Sequence, residues 1–146
     1  MDNLSKKYTL GQELIDGDHR ELFNLVYKSY DILLDKFSLD KYDKIVNLIE
    51  ELKNYTIYHF GREEELMLEM KYNKFFSHKV QHIEFIKKFE DINFSDIDKD
   101  QEKYIKDLLD FVLDWIQNHI LYVDSQFVEF YNKKIESSKN DIILNK

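Results

Sequence analysis

The 146-residue chain contains no proline and only three glycines. Proline breaks helix interiors, because it lacks the amide donor and clashes with the preceding turn, while both residues supply the tight turns that sandwiches and barrels need. A chain so poor in both is expected to be all-α, built from a few long helices. A length of 146 residues suits a single domain with one packed core. With 43% apolar residues, including eleven Phe and ten Tyr, there is ample material to fill it.

Four segments repeat apolar residues at intervals of three and four, the period of one helix face. The first, near 17–37, carries His19, Leu22, Phe23, Val26, Tyr30, Leu33, Leu34 and Phe37, with Asp16 or Asp18 as its expected cap. The second, near 40–69, carries Ile45, Leu48, Ile49, Leu52, Tyr55, His59, Glu63 and Leu66 behind Ser38. The third, near 73–90, carries Phe75, His78, His82, Phe85 and Phe89 behind Asn73. The fourth, near 97–131, follows the link DINFSD and carries Tyr104, Leu108, Phe111, Val112, Trp115, His119 and Tyr122. Met67 and Met70 read as core. Short links between long amphipathic segments predict an up-down-up-down four-helix bundle with an N-terminal arm, spanning 1–132, and a polar, peripheral tail over 133–146.

A net charge of −8 opposes general binding to nucleic acid phosphates or anionic membranes, both of which need clustered Lys and Arg. The absence of Cys excludes a disulfide framework, a thiolate metal site and a cysteine nucleophile. No Ser–His–acid pattern stands out, so nucleophilic catalysis is not expected. The N-terminus has no apolar leader and no stretch approaches the ~18 uninterrupted apolar residues of a membrane span, so the expected location is cytoplasmic.

The polar residues on the apolar faces carry the chemistry. Residues four apart on a helix lie about 40° apart around the axis and about 6 Å along it. His59 with Glu63, and His78 with His82, can therefore each present two ligands to one point. His19 and His119 sit on the inward faces of the other two segments, so all five histidines aim at the same axis. One histidine on an apolar face is usually satisfied by a nearby carbonyl. Five imidazoles and a carboxylate in one core would instead cost about 1–3 kcal/mol for each unsatisfied group, a cost that bound cations remove. Asp124, five residues beyond His119, falls about 140° away on a regular helix and joins them only if that helix is locally irregular. Affinity alone does not separate iron from zinc, copper or nickel at such a site.

These stretches resemble the hemerythrin family, and within it the single-domain bacterial hemerythrins, over residues 8 to 131. IDGDHRELFNLV around His19 is similar to the first-helix signature, and HFGREEELM resembles H-F-x-x-E-E-x-L-M. YNKFFSHKVQH matches Tyr-x5-His-x3-His, and WIQNHILYVD matches Trp-x3-His-Ile-x3-Asp. The chain departs from the family pattern at Asn73, where proline is common, at Gln81, where glutamate is common between the two histidines, and in an arm whose nearest aromatic is Tyr8.

The resemblance implies a metal site of His19, His59, Glu63, His78, His82, His119 and Asp124. It implies two iron ions per chain (Fe2+/Fe3+), joined by an oxo or hydroxo group and the two carboxylates. His78, His82 and His119 would hold one iron, and His19 and His59 the other, whose vacant position takes dioxygen reversibly. The implied role is an oxygen carrier, store or scavenger rather than an enzyme. Peroxide or nitric oxide removal, iron sequestration, and oxygen or redox sensing through a partner would use the same ligands. A ferritin-like oxygenase would need Glu-x-x-His pairs, but Asp16, Thr56, Phe75, Lys79 and Ile116 stand three residues before the histidines. Phe60, Trp115, Ile116 and Ile120, each within four residues of a ligand, are expected to wall an apolar pocket, and core packing accounts for them equally well.

Overall fold

A computed structural model describes residues 8–35, 37, 41–92 and 101–144. Its helices are α1 (Glu13–Leu34), α2 (Lys41–Glu69), α3 (Phe75–Glu90), α4 (Gln101–His119) and α5 (Ser125–Leu144), with α4 running into α5 through a π-helical turn at Ile120–Asp124. The π turn makes α4 and α5 one rod, so the molecule is an all-α four-helix bundle. α1 packs against α2 and α4, and α2 against α3. Aromatic contacts such as Phe85 on Trp115 close α3 onto α4. None of the described helices is long and apolar enough to cross a membrane.

The ends of the helices differ from the expected caps. α1 is capped by Gln12, whose side-chain oxygen accepts from the Ile15 amide at 2.8 Å. Asp16 instead accepts from the amides of Leu10 and Gly11 at 2.8 and 3.0 Å, pinning the arm, and Gly11 takes a φ of +96° that a side chain would strain. Asp18 points into the bundle, as described below. The N-cap position of α3 is Lys74, which makes no side-chain cap, so Asn73 does not fill that role. Ser38 and residues 93–96 of the fourth segment's link lie outside the described residues. α1 stops at Leu34, leaving Leu34 and Phe37 72% and 92% exposed rather than in the core.

α4 is rotated from its expected face. Ile105, Leu109, Val112 and Ile116 form its buried line, Tyr104, Leu108 and Trp115 lie at the edge, and Phe111 and Tyr122 are exposed. Both lines step by three and four; the neighbouring helices decide which faces in. The described part of the tail continues α5, which stays helical to Leu144, and Glu136 to Asn140 are exposed.

Apolar residues form two clusters. The larger gathers Leu22, Phe23, Val26, Ile49, Leu52, Phe85, Leu109 and their neighbours, and the smaller gathers Ile15, Met67, Tyr72, Phe127 and Val128, with Met70 packed at its edge. On every rod the histidines and acids fall between members of one cluster and members of the other: His19 between Ile15 and Leu22, His59 between Leu52 and Met67, His78 between Tyr72 and Phe85, Asp124 between Ile120 and Phe127. A polar layer is thus held between two apolar plugs.

Candidate metal centre

Seven side chains meet in that layer: His19 from α1, His59 and Glu63 from α2, His78 and His82 from α3, His119 from the end of α4 and Asp124 from the end of the π turn. All are at most 4% exposed. They form two overlapping groups, Glu63, His78, His82, His119 and Asp124 in one and His19, His59, Glu63 and Asp124 in the other, with ligand atoms in each group within 4.8 Å of one another. The π turn explains Asp124. Its i→i+5 pattern inserts one extra residue and brings residues five apart onto one face, so Asp124 Oδ1 lies 3.1 Å from His119 Nε2.

Each carboxylate divides its oxygens between the two histidine groups. Glu63 Oε1 lies 2.7 Å from His78 Nε2 and 3.3 Å from His82 Nε2, while Oε2 lies 3.6 Å from His59 Nε2. Asp124 Oδ1 lies 2.9 Å from His78 Nε2, while Oδ2 lies 2.9 Å from His19 Nε2. Glu63 and Asp124 are therefore shared, and the histidines divide three against two.

Outer partners fix the direction of the imidazole lone pairs. His59 Nδ1 lies 2.9 Å from Asp18 Oδ2, His82 Nδ1 2.9 Å from Glu64 Oε2 and His119 Nδ1 3.1 Å from Gln81 Oε1. These partners are acceptors, so each Nδ1 donates to its partner and each Nε2 is turned inward, where a metal ion or a second proton would be held. His78 and His82 Nε2 both lie 3.2 Å from His119 Nε2. Lone pairs at that separation repel unless a cation or proton lies among them. Both oxygens of Glu63, both nitrogens of His19 and His78 Nδ1 make no hydrogen bond, despite the close neighbours of some of them. Buried groups this polar are rarely left so. The donor set, all imidazole and carboxylate with orphaned atoms facing a common interior, fits a pair of transition-metal ions.

The acid–base balance points the same way. Burial opposes a charge on His78, but its hydrogen bond to Asp124 and the close carboxylates of Glu63 and Asp124 outweigh burial and lift its pKa to about 10. His82 is raised likewise, whereas burial outweighs the carboxylates at His119 and lowers it. Burial and the neighbouring Asp124 both raise Glu63, yet its histidine partners hold it below the ordinary range. Protons on these histidines occupy the role that cations would take.

Asp18 and Glu64 hold imidazoles of the cluster and were not singled out for this by the sequence, and Gln81, noted there only as a departure from the family pattern, does the same. Asp18 sits beside His19 in the chain yet serves His59 on another helix, and it also accepts from Tyr55 Oη at 3.0 Å and from Arg62 Nε and Nη2 at 3.2 and 2.8 Å. Burial alone would raise its carboxyl, but His59, Tyr55 and Arg62 together bring it below the aspartate norm. Gln81 lies between His78 and His82 in sequence but serves His119. No local spacing could have found these pairings. Phe60, Trp115, Ile116 and Ile120 do come together: with Leu22 and Thr56 they line a cavity of about 10 Å³ against His19, His59 and His119. Phe60 stacks on His82 and Trp115 on His119, with centroids 3.8 and 4.3 Å apart. The Thr56 hydroxyl is spent on the Leu52 carbonyl at 2.7 Å, which keeps the wall apolar.

Comparison with known proteins agrees with this geometry. Residues 10–131 match the family described as Hemerythrin HHE cation binding domain. The chain is 46% identical over 123 residues to a bacteriohemerythrin of Clostridium acetobutylicum, covering 84% of this chain and 95% of that one. It is 28% identical over 123 residues to a bacteriohemerythrin of Aquifex aeolicus, with 83% and 90% covered, and 28% identical over 115 residues to a myohemerythrin of Sipunculus nudus, with 79% and 81% covered. No solved structure matches it.

Proposed function

This chain belongs to the hemerythrin family, and on that premise we propose that it binds dioxygen reversibly at a pair of iron ions held by His19, His59, Glu63, His78, His82, His119 and Asp124. Two observations support the ligand set: the split of each carboxylate's oxygens between the two histidine groups, and the orphaned atoms of Glu63 and His19. The first of these carries the reading, because a carboxylate shared between two donor groups suits two ions and is wasted on one. When bound, the iron pair supplies the two electrons that dioxygen takes up and returns.

The protein's own residues set the conditions for reversibility. His78, His82 and His119 give one side three nitrogens, while His19 and His59 leave the other side one donor short. The apolar cavity adjoins both histidines of that side, His19 and His59, and only His119 of the other. A cavity of about 10 Å³ is at the lower limit for one water molecule, and a wall of Leu22, Phe60, Trp115, Ile116 and Ile120 gives water no partner. Small apolar gas molecules are admitted at little cost, and water and protons are held off. Asp18, Glu64 and Gln81 keep three imidazoles oriented throughout. The role is that of a carrier, store or scavenger, not of a catalyst.

Anaerobic loading with ferrous iron, metal counting, and then alternate exposure to air and degassing test the reading. Two irons per chain and a visible band that appears with oxygen and fades on its removal are expected. Irreversible conversion in the first cycle would contradict reversible binding.

A further inference from the structure

Three of the cavities among the described residues touch the centre, and they differ in what they offer. The apolar one of about 10 Å³ reaches His19, His59, His119 and Asp124, but its wall carries no charged side chain and its one hydroxyl, on Thr56, is already spent. A groove of about 510 Å³ between α2 and α3 reaches His82, but the outward nitrogen of that ring is already held by Glu64. The third is a cleft of about 130 Å³ between α1 and α2, and its floor is formed by His59 and Glu63. Glu63 is fully buried and both of its oxygens lack hydrogen-bond partners. Glu65 and Glu69 stand exposed at the mouth of this cleft. Arg62 lies across it, with two nitrogens on Asp18 and Nη1 on Tyr58 Oη at 2.7 Å.

We propose that this cleft is the path by which divalent metal ions reach and leave the centre, with Glu65 and Glu69 attracting the hydrated ion and Arg62 acting as a swinging gate. The proposal rests on the two-metal reading above. A hydrated dication cannot cross an apolar wall without losing its water to nothing, whereas a cleft of this size holds several waters and ends on unpartnered carboxylate oxygens that replace them. Neutralised by Asp18, Arg62 does not repel the ion. Its swing away would uncover His59 and Glu63 together.

The single tryptophan reports arrival, because Trp115 stacks on His119. Mixing metal-free protein with cobalt(II) and following Trp115 fluorescence gives the uptake rate, and chelation with EDTA gives the release rate. Leu66→Phe, which narrows the cleft, should slow both by the same factor and leave affinity unchanged. Glu65→Gln with Glu69→Gln should slow uptake about 3- to 10-fold at low salt, the difference fading as salt rises. Ile83→Phe in the other groove is the control. The proposal fails if Leu66→Phe leaves both rates alone, if it changes affinity instead, or if Ile83→Phe is the variant that slows them. Saturation of the unaltered chain at two cobalt ions is read in the same titration and tests the two-metal reading separately.

Discussion

The two sides of the centre are built unequally. On the three-histidine side, His82 and His119 are each oriented by a different side chain, Glu64 and Gln81, and Phe60 and Trp115 stack on their rings. On the two-histidine side, Asp18 alone orients His59, and His19 has no outer partner at all. Asp18 is in turn held by Tyr55 and Arg62, so one carboxylate gathers all the support that side has. The three-histidine side has two outer supports, with His78 Nδ1 left without a hydrogen bond, and the two-histidine side hangs on one. Exchange of a ligand at one position and not at the other, as proposed above, fits supports distributed in this way.

Removing the shared ligand breaks both sides at once. Glu63→Ala should leave at most one iron per chain after desalting, and two irons with an unaltered visible spectrum would refute the shared-carboxylate arrangement. Withdrawing both metals should lower Tm by about 10 °C or more, since an ion present at about a thousand times its Kd stabilises by about 4 kcal/mol. A calorimetric scan with and without chelator measures this.

Asp18→Asn tests the inequality directly. It should weaken one of the two metals about 10- to 100-fold in a competitive chelator titration, and Glu64→Gln should cost less, because His82 keeps its stacking on Phe60. Equal losses in the two variants would erase the contrast. Ile120→Ala or Trp115→Ala should speed autoxidation of the oxygenated protein several-fold while metal content holds; unchanged decay in both would count against the cavity as the oxygen pocket.

The smallest effect is a proton count. His78 holds its proton up to about pH 10 in the metal-free protein, so loading at pH 7 should displace it. Release of about one proton per chain or more, seen with an indicator dye in weak buffer, is expected, and the release from His78 should vanish above that pH. Uptake without proton release at pH 7 would show that the three-histidine side is not charged when empty.

Much of the site was legible before any fold was known. The four-residue intervals of His59–Glu63 and His78–His82 turn directly into a shared direction on a helix, and the inward faces of His19 and His119 follow from the same period. Asp124 was visible only through the family resemblance, because a regular helix points it elsewhere; the π turn at Ile120–Asp124 supplies the irregularity that its position needs. The inward line of α4 was misread for a related reason. Two apolar lines lay side by side on that helix, and periodicity ranks them equally.

By itself, then, the sequence determined the class of fold, the number of rods and most of the inward-facing histidines and acids, because these depend on intervals along a single helix and on the near absence of breakers. Tertiary structure alone decided which neighbour holds each imidazole. Asp18 reaches His59 across 41 residues and Gln81 reaches His119 across 38. Such pairings arise where separate helices touch, and the crossing and rotation of packed helices leave no trace in local spacing.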